Sequence, residues 1–292
     1  MLQSGKSDKN KKLSKMIGHY KIKRAPHLIM LYYEKIINEN TDEWVLFIHG
    51  LGGSLKTWKY QIDQFTPYYN VLLVDLDGHG RSIRLKLFSR YKPTSTAKEI
   101  HEILLTECIS HVKIVSLSLG TLVALEFSYL YPDMVESMVL AGGIINLDHA
   151  RRFVFGVANF VTKHFPKTFA YNMFAHIIMP AKKHKLSRDI FIREAKKVDD
   201  NVFKRWVECI GKADRKLKDY IHTLTKRGIP TLFISGREDF MFLSGIKDVC
   251  KRVHNFNMQI LRNCGHVCSI EKSELFNKLT LNFFRSEELS SQ

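Results

Sequence analysis

Apolar residues in the first half of this chain fall in short blocks at wide spacing. Residues 44–48, 71–75 and 112–116 are each too short for a buried helix, are rich in branched side chains and are followed by glycine or turn residues. That is the pattern of strands buried on both faces of a parallel sheet. Stretches of helical spacing such as 95–108 lie between them, so the order is βαβα and a parallel sheet flanked by helices is expected. Residues 119–131 have helical spacing that stops at Pro132, and 138–141 returns as a strand. Two further strands are expected much later, at 231–235 and 258–261. Upstream, 20–24 and 28–33 read as two antiparallel strands joined near Pro26.

Between the two groups of strands the pattern changes. Residues 146–225 hold Phe153, Phe155, Phe160, Phe165, Phe169, Tyr171, Met173 and Phe174, then a charged stretch of helical periodicity through Trp206 and Leu217. This reads as a helical cap inserted into a core made of 18–145 and 226–285, with 1–17 a flexible basic tract. The aromatics pack the insert onto the sheet or line a substrate pocket; Phe153 and Phe174 are the pocket candidates.

Composition narrows the class. A chain of 292 residues suffices for one α/β domain with an insertion, and 45% hydrophobic with 25% charged residues is the balance of a globular protein. The net charge of +16 raises the question of a polyanionic partner. The lysines are spread along the chain and no nucleic-acid motif accompanies them, so compositional bias is preferred, with weak association with an anionic membrane surface left open. Five scattered cysteines without a C-x-x-C pair read as reduced thiols, and neither metal nor organic cofactor is expected. The first residues are basic and polar with no apolar segment behind them, and no run approaches the roughly 18 apolar residues that a bilayer span requires. A soluble, cytoplasmic protein is the expectation.

The candidate chemistry starts at Ser118, which stands between small residues, Ser116 and Gly120, where a strand is expected to meet a helix. A sharp turn there pushes the hydroxyl into a cleft, and small neighbours two before and two after prevent a clash. Ser116 is the poorer nucleophile, because Ile114 would stand two before it. A serine hydroxyl needs a base and a group that orients the base. His266 follows the strand at 258–261, at the sheet edge where ligands gather in open parallel sheets. Asp239 follows the strand at 231–235 in the same way, with Glu238 as its neighbour and alternative.

Taken together these motifs resemble the α/β-hydrolase superfamily, with nucleophile, acid and histidine in that order over about residues 18–284. The resemblance implies Ser118, Asp239 and His266 as a catalytic triad, Asp239 being preferred to Glu238 by its distance from the strand. The His49-Gly-Leu-Gly-Gly-Ser54 segment resembles the family's H-G-x-G loop, which implies an oxyanion hole from the backbone N–H groups of Leu51 and Leu119 and places His49 and Gly50 beside the substrate. Residues 75–82 resemble a D-x-x-G-x-G-x-S signature, in which His79 is expected to be structural. The implied activity is carboxylic ester hydrolysis through an acyl-enzyme, on a small-molecule ester or acyl substrate. Carbon-carbon bond hydrolases, lysophospholipases and acyltransferases share the machinery, and a ligand receptor of the same fold is the alternative from another class. Cys264 and Cys268 flank the proposed base and are expected to be inert.

Overall fold

The runs of valine, leucine, isoleucine and phenylalanine form the strands they were expected to form. The computed structural model of the chain describes residues 31–82, 91–145 and 149–290. Seven strands make one sheet: β1 Tyr33–Ile36, β2 Trp44–Ile48, β3 Asn70–Val74, β4 Val112–Leu117, β5 Val135–Ala141, β6 Thr231–Gly236 and β7 Phe256–Leu261. Their spatial order is β1-β3-β2-β4-β5-β6-β7, and every pairing is parallel except β1 on β3. Every residue of β3, β4 and β6 is buried. Both faces are therefore covered, as the continuous apolar runs require.

The tract 1–17, the expected strand at 20–24 and residues 28–30 of the next lie outside the described residues. The antiparallel strand that is described begins at Tyr33, where the apolar run 28–33 ends. It is an edge strand, half-buried throughout, and its Glu34 and Lys35 pair opposite Leu73 and Leu72 of β3.

Helix α1 (Pro93–Thr106) packs on α2 (Leu119–Leu130), and α2 lies against β2, β4 and β5. Between β5 and β6 the chain runs through α3 (His149–His164), α4 (Lys167–Ile178), α5 (Lys185–Ala195), α6 (Asp200–Gly211) and α7 (Asp214–Lys226). Helix α7 differs from the others in this stretch by packing on α2. The buried Glu126 carboxylate of α2 accepts hydrogen bonds from Lys216 and Tyr220 of α7 and from Thr94 of α1. The chain closes with α8 (Leu243–Arg252) and with α9 (Ser273–Ser290), which packs on β5 and β6. No helix among the described residues is long and apolar enough to cross a membrane.

Strand register brings the chemistry together. Ile48 pairs with Ser116, Leu117 with Ala141, Ala141 with Ile234, and Gly236 with Leu261. The carboxyl ends of five strands therefore align, and the segments holding Gly50, Ser118, Gly142, Asp239 and His266 leave the sheet at one edge.

Candidate active site

Ser118 connects β4 directly to α2 with φ +52° and ψ −117°, a left-handed conformation that costs a serine energy and is held only by its surroundings. Its amide donates to the Ala141 carbonyl (2.9 Å) and its carbonyl accepts from the Thr121 hydroxyl. Gly120 shows why a small residue must follow. A Cβ there would lie 2.4 Å from the Ile48 carbonyl oxygen, so any side chain would push α2 off the end of β2.

His266 is almost completely buried and its Nδ1 lies 2.8 Å from Asp239 Oδ2. Asp239 is fully buried, and its other oxygen accepts from the Phe242 amide (3.2 Å). A carboxylate so placed holds the proton on Nδ1 and leaves Nε2 as the basic nitrogen. The Phe242 ring lies 5.1 Å from the imidazole, centroid to centroid. On the other side stands Gly142, at φ +53°, where a Cβ would be 2.8 Å from His266 Cε1 and 2.9 Å from Nδ1. Glu238 faces elsewhere, paired with Lys183 and with His184 Nε2 (3.1 Å).

Ser118 and His266 line one cavity of about 660 Å³, counted with its mouth. Its walls are apolar for the most part: Leu51, Leu117, Ile144, Phe174, Ile178 and Phe242 belong to them, with Thr57, Ser187 and Glu194 as polar members. The amides of Leu51 and Leu119 have no protein acceptor among the described residues. Leu119 is the first residue of α2, so its N–H is one of those a helix start leaves unsatisfied. Leu51, Ser118 and His266 therefore line one space, with Asp239 behind His266 and Leu119, which is not in the lining, directly after Ser118. Among the described residues no group of three His, Cys, Asp or Glu is arranged to hold a metal ion.

Two candidates stand elsewhere. His49 is buried and does not line the cavity: its Nε2 accepts from the Leu76 amide (3.0 Å), so Nδ1 carries the proton and donates to the Gly50 carbonyl (2.8 Å). The ring is turned under the loop it was expected to border, while Gly50 does line the cavity. Phe153 is 72% exposed on α3 and also lies outside the lining, because α3 turns Phe155 inward instead. Phe174 is in the wall. His79 holds the same loop from beside His49: its Nε2 accepts from the Gly52 amide (3.0 Å) and its Nδ1 donates to the Asp77 carbonyl (3.0 Å). Burial lowers the pKa of His49 to about 4 and of His79 to about 3, so both rings are neutral. Asp75 completes the support, accepting from the Leu55 (2.7 Å) and Arg81 (2.8 Å) amides.

Gly142, Ile144, Phe191 and Phe242 were not singled out from sequence. The paired glycines 142–143 directly after a strand were the available signal for the first. The others come from separate segments that only the fold assembles. Cys264 and Cys268 are buried, which pushes the Cys264 thiol up to about 12 and Cys268 well above its ordinary value. Both stay protonated and unreactive.

The family model described as the alpha/beta hydrolase fold matches residues 43–273. A Bacillus subtilis protein named as a 2-succinyl-6-hydroxy-2,4-cyclohexadiene-1-carboxylate synthase is 24% identical over 255 residues, which is 85% of this chain and 92% of that protein. An Escherichia coli protein named as the carbamate hydrolase RutD is 24% identical over 244 residues, 82% of this chain and 90% of that one. Among solved structures, one described with the carboxylesterases of Nitrososphaera gargenis superposes with a TM-score of 0.75 at 17% identity, covering 89% of this chain and 96% of the other. The last likeness is one of fold.

Proposed function

Since the chain belongs to the alpha/beta hydrolase fold family, we propose that it is a serine hydrolase that cleaves a carboxylic ester with Ser118 as nucleophile, His266 as general base and Asp239 as the group that orients the base. The observation that carries this reading is the 2.8 Å contact between His266 Nδ1 and Asp239, set in the wall of the same cavity as a serine in a strained strand-to-helix turn.

In the proposed reaction His266 Nε2 takes the proton from Ser118 as Oγ attacks the ester carbonyl carbon. The carbonyl oxygen becomes an oxyanion and accepts from the Leu51 and Leu119 amides. Such donors lower the barrier by about 3 kcal/mol each when preplaced in a site shielded from water. The imidazolium then protonates the leaving alkoxide, and water, deprotonated by the same nitrogen, releases the acid from Ser118. Helices α3 to α6 serve as the cap. The apolar walls favour an uncharged acyl group over the multiply charged carboxylate in the name of the Bacillus relative.

The test is labelling with a fluorophosphonate, wild type against Ser118→Ala, beside turnover of p-nitrophenyl esters of increasing chain length. Labelling and turnover by the wild type alone are expected. A folded wild type that neither labels nor turns over any ester would overturn the enzyme reading in favour of a ligand receptor.

A further inference from the structure

Helix α4 has two apolar faces, and only one is accounted for. Phe174 and Ile178 form part of the cavity wall, whereas Phe169, Met173 and Ile177, with the exposed polar Asn172 and His176, line a shallow groove on the outside. Helix α3 repeats the arrangement. Phe155, Ala158 and Val161 are buried, while Phe153, Val157 and Phe160, spaced i, i+4, i+7 on one face, are 72%, 40% and 57% exposed. Phe165, between the two helices, is 47% exposed and packs against Phe169, itself 52% exposed, at 5.4 Å between centroids. Exposed aromatics in a continuous run on one element pair are not the scatter of apolar residues that any protein surface carries.

The sequence around them carries a net positive charge. Residues 148–189 hold eight Lys or Arg and two Asp, a net +6 in 42 residues. Lys163 and Lys182 are exposed, while the exposed Lys183 and Lys185 are paired with Glu238 and Asp189. Phenylalanines on one face of a helix with lysines beside them suit the boundary of a bilayer, where rings enter the acyl region and cations meet phosphate. A soluble protein partner would need a matching acidic, apolar surface; an anionic bilayer supplies both properties at once.

We infer that the outer face of α3 and α4 docks on the surface of an anionic phospholipid membrane. Lipid held there lies one helix away from Ser118, with α4 as the partition.

The test is co-sedimentation of the full chain with vesicles of phosphatidylcholine alone or mixed with phosphatidylglycerol, comparing wild type with the Phe160→Asp/Phe169→Asp double variant. Wild type should pellet with the phosphatidylglycerol vesicles and much less with phosphatidylcholine. The variant should partition at least roughly tenfold less, with an unchanged thermal unfolding midpoint. Equal binding by both proteins would overturn the inference, since charge elsewhere on the surface would then be responsible. So would wild type that ignores vesicles, including the case where it sediments as a dimer that the substitutions convert to monomer. None of these readouts depends on the reaction proposed above.

Discussion

Replacing Gly142 by alanine tests whether the position of the His266 ring sets the rate. The backbone there has φ +53°, a region that costs a residue with a Cβ about 1–2 kcal/mol. The added methyl would lie 2.8 Å from His266 Cε1 and 2.9 Å from Nδ1. Carbon contacts settle near 3.5 Å, so ring or backbone must yield by about 0.7 Å. The ring has little room to do so. Its Nδ1 is held at 2.8 Å by Asp239, and Phe242 stands 5.1 Å away, centroid to centroid. Misplacing a reacting group by about 1 Å costs on the order of 100-fold in rate, or about 2.7 kcal/mol in the barrier. Strain of about 2–3 kcal/mol lies below the 5–15 kcal/mol that holds a domain folded, so the variant should remain native. Turnover of p-nitrophenyl butyrate, read beside thermal unfolding, should show that loss in a folded protein. Gly156→Ala is the control, since nothing lies within 4 Å of its added methyl. Wild-type turnover by a folded Gly142→Ala variant would refute the reasoning.

Asp239→Asn should keep the fold and lower kcat by roughly 10⁴-fold, because an amide can donate to Nδ1 and so favours the wrong tautomer; a loss under tenfold would remove Asp239 from its proposed role. Phe174→Ala should move the optimum of a p-nitrophenyl ester series toward longer acyl chains, and an unmoved optimum would mean that the acyl group lies elsewhere. Acid should destabilise the fold before it unfolds it. His49 and His79 are neutral when folded, with pKa values lowered by burial to about 4 and about 3, and both bind a proton near the ordinary 6.5 when unfolded. The unfolded chain therefore holds more protons below pH 6.5, and stability falls as the pH drops from 6.5 toward about 3, being complete above that window. Urea midpoints at about pH 7.5 and about pH 5 measure it, and His79→Gln should flatten the slope; a midpoint independent of pH would contradict the account.

The parallel strands were legible because burial on both faces writes itself as an unbroken apolar run, as in Val71 to Val74. Strand β1 is not legible in the same way because an edge strand has no such run: Glu34 and Lys35 sit inside it, and only Tyr33 of the apolar run 28–33 belongs to it. Ser118, Asp239 and His266 were legible as candidates by position, each just beyond a strand. The 2.8 Å approach of Asp239 to His266 follows from the register of β6 on β7, which no local pattern states. The cavity was illegible for a related reason. Its wall draws Leu51, Ile144, Phe174 and Phe242 from four separate segments, each an ordinary apolar residue in its own neighbourhood. His49 misled because the glycines after it mark a loop near the site without saying which way the ring turns, and hydrogen bonds to Gly50 and Leu76 turn it inward.

The long excursion between β5 and β6 also orders events in time. Met138 pairs with Thr231, and the roughly 90 residues between them must be made before that contact can close. During synthesis the first five strands emerge with β5 as a bare parallel edge, ready to accept the wrong partner. Helices α3 to α7 form from local contacts on a far shorter timescale and are the first material available to shield it. The two halves of the chemistry are thereby born apart: the elbow of Ser118 and the loop of Leu51 belong to the early half, Asp239 and His266 to the late one. A chain halted between them holds the proposed nucleophile without the proposed base, so on that proposal reaction with a fluorophosphonate would count only molecules whose sheet has been completed.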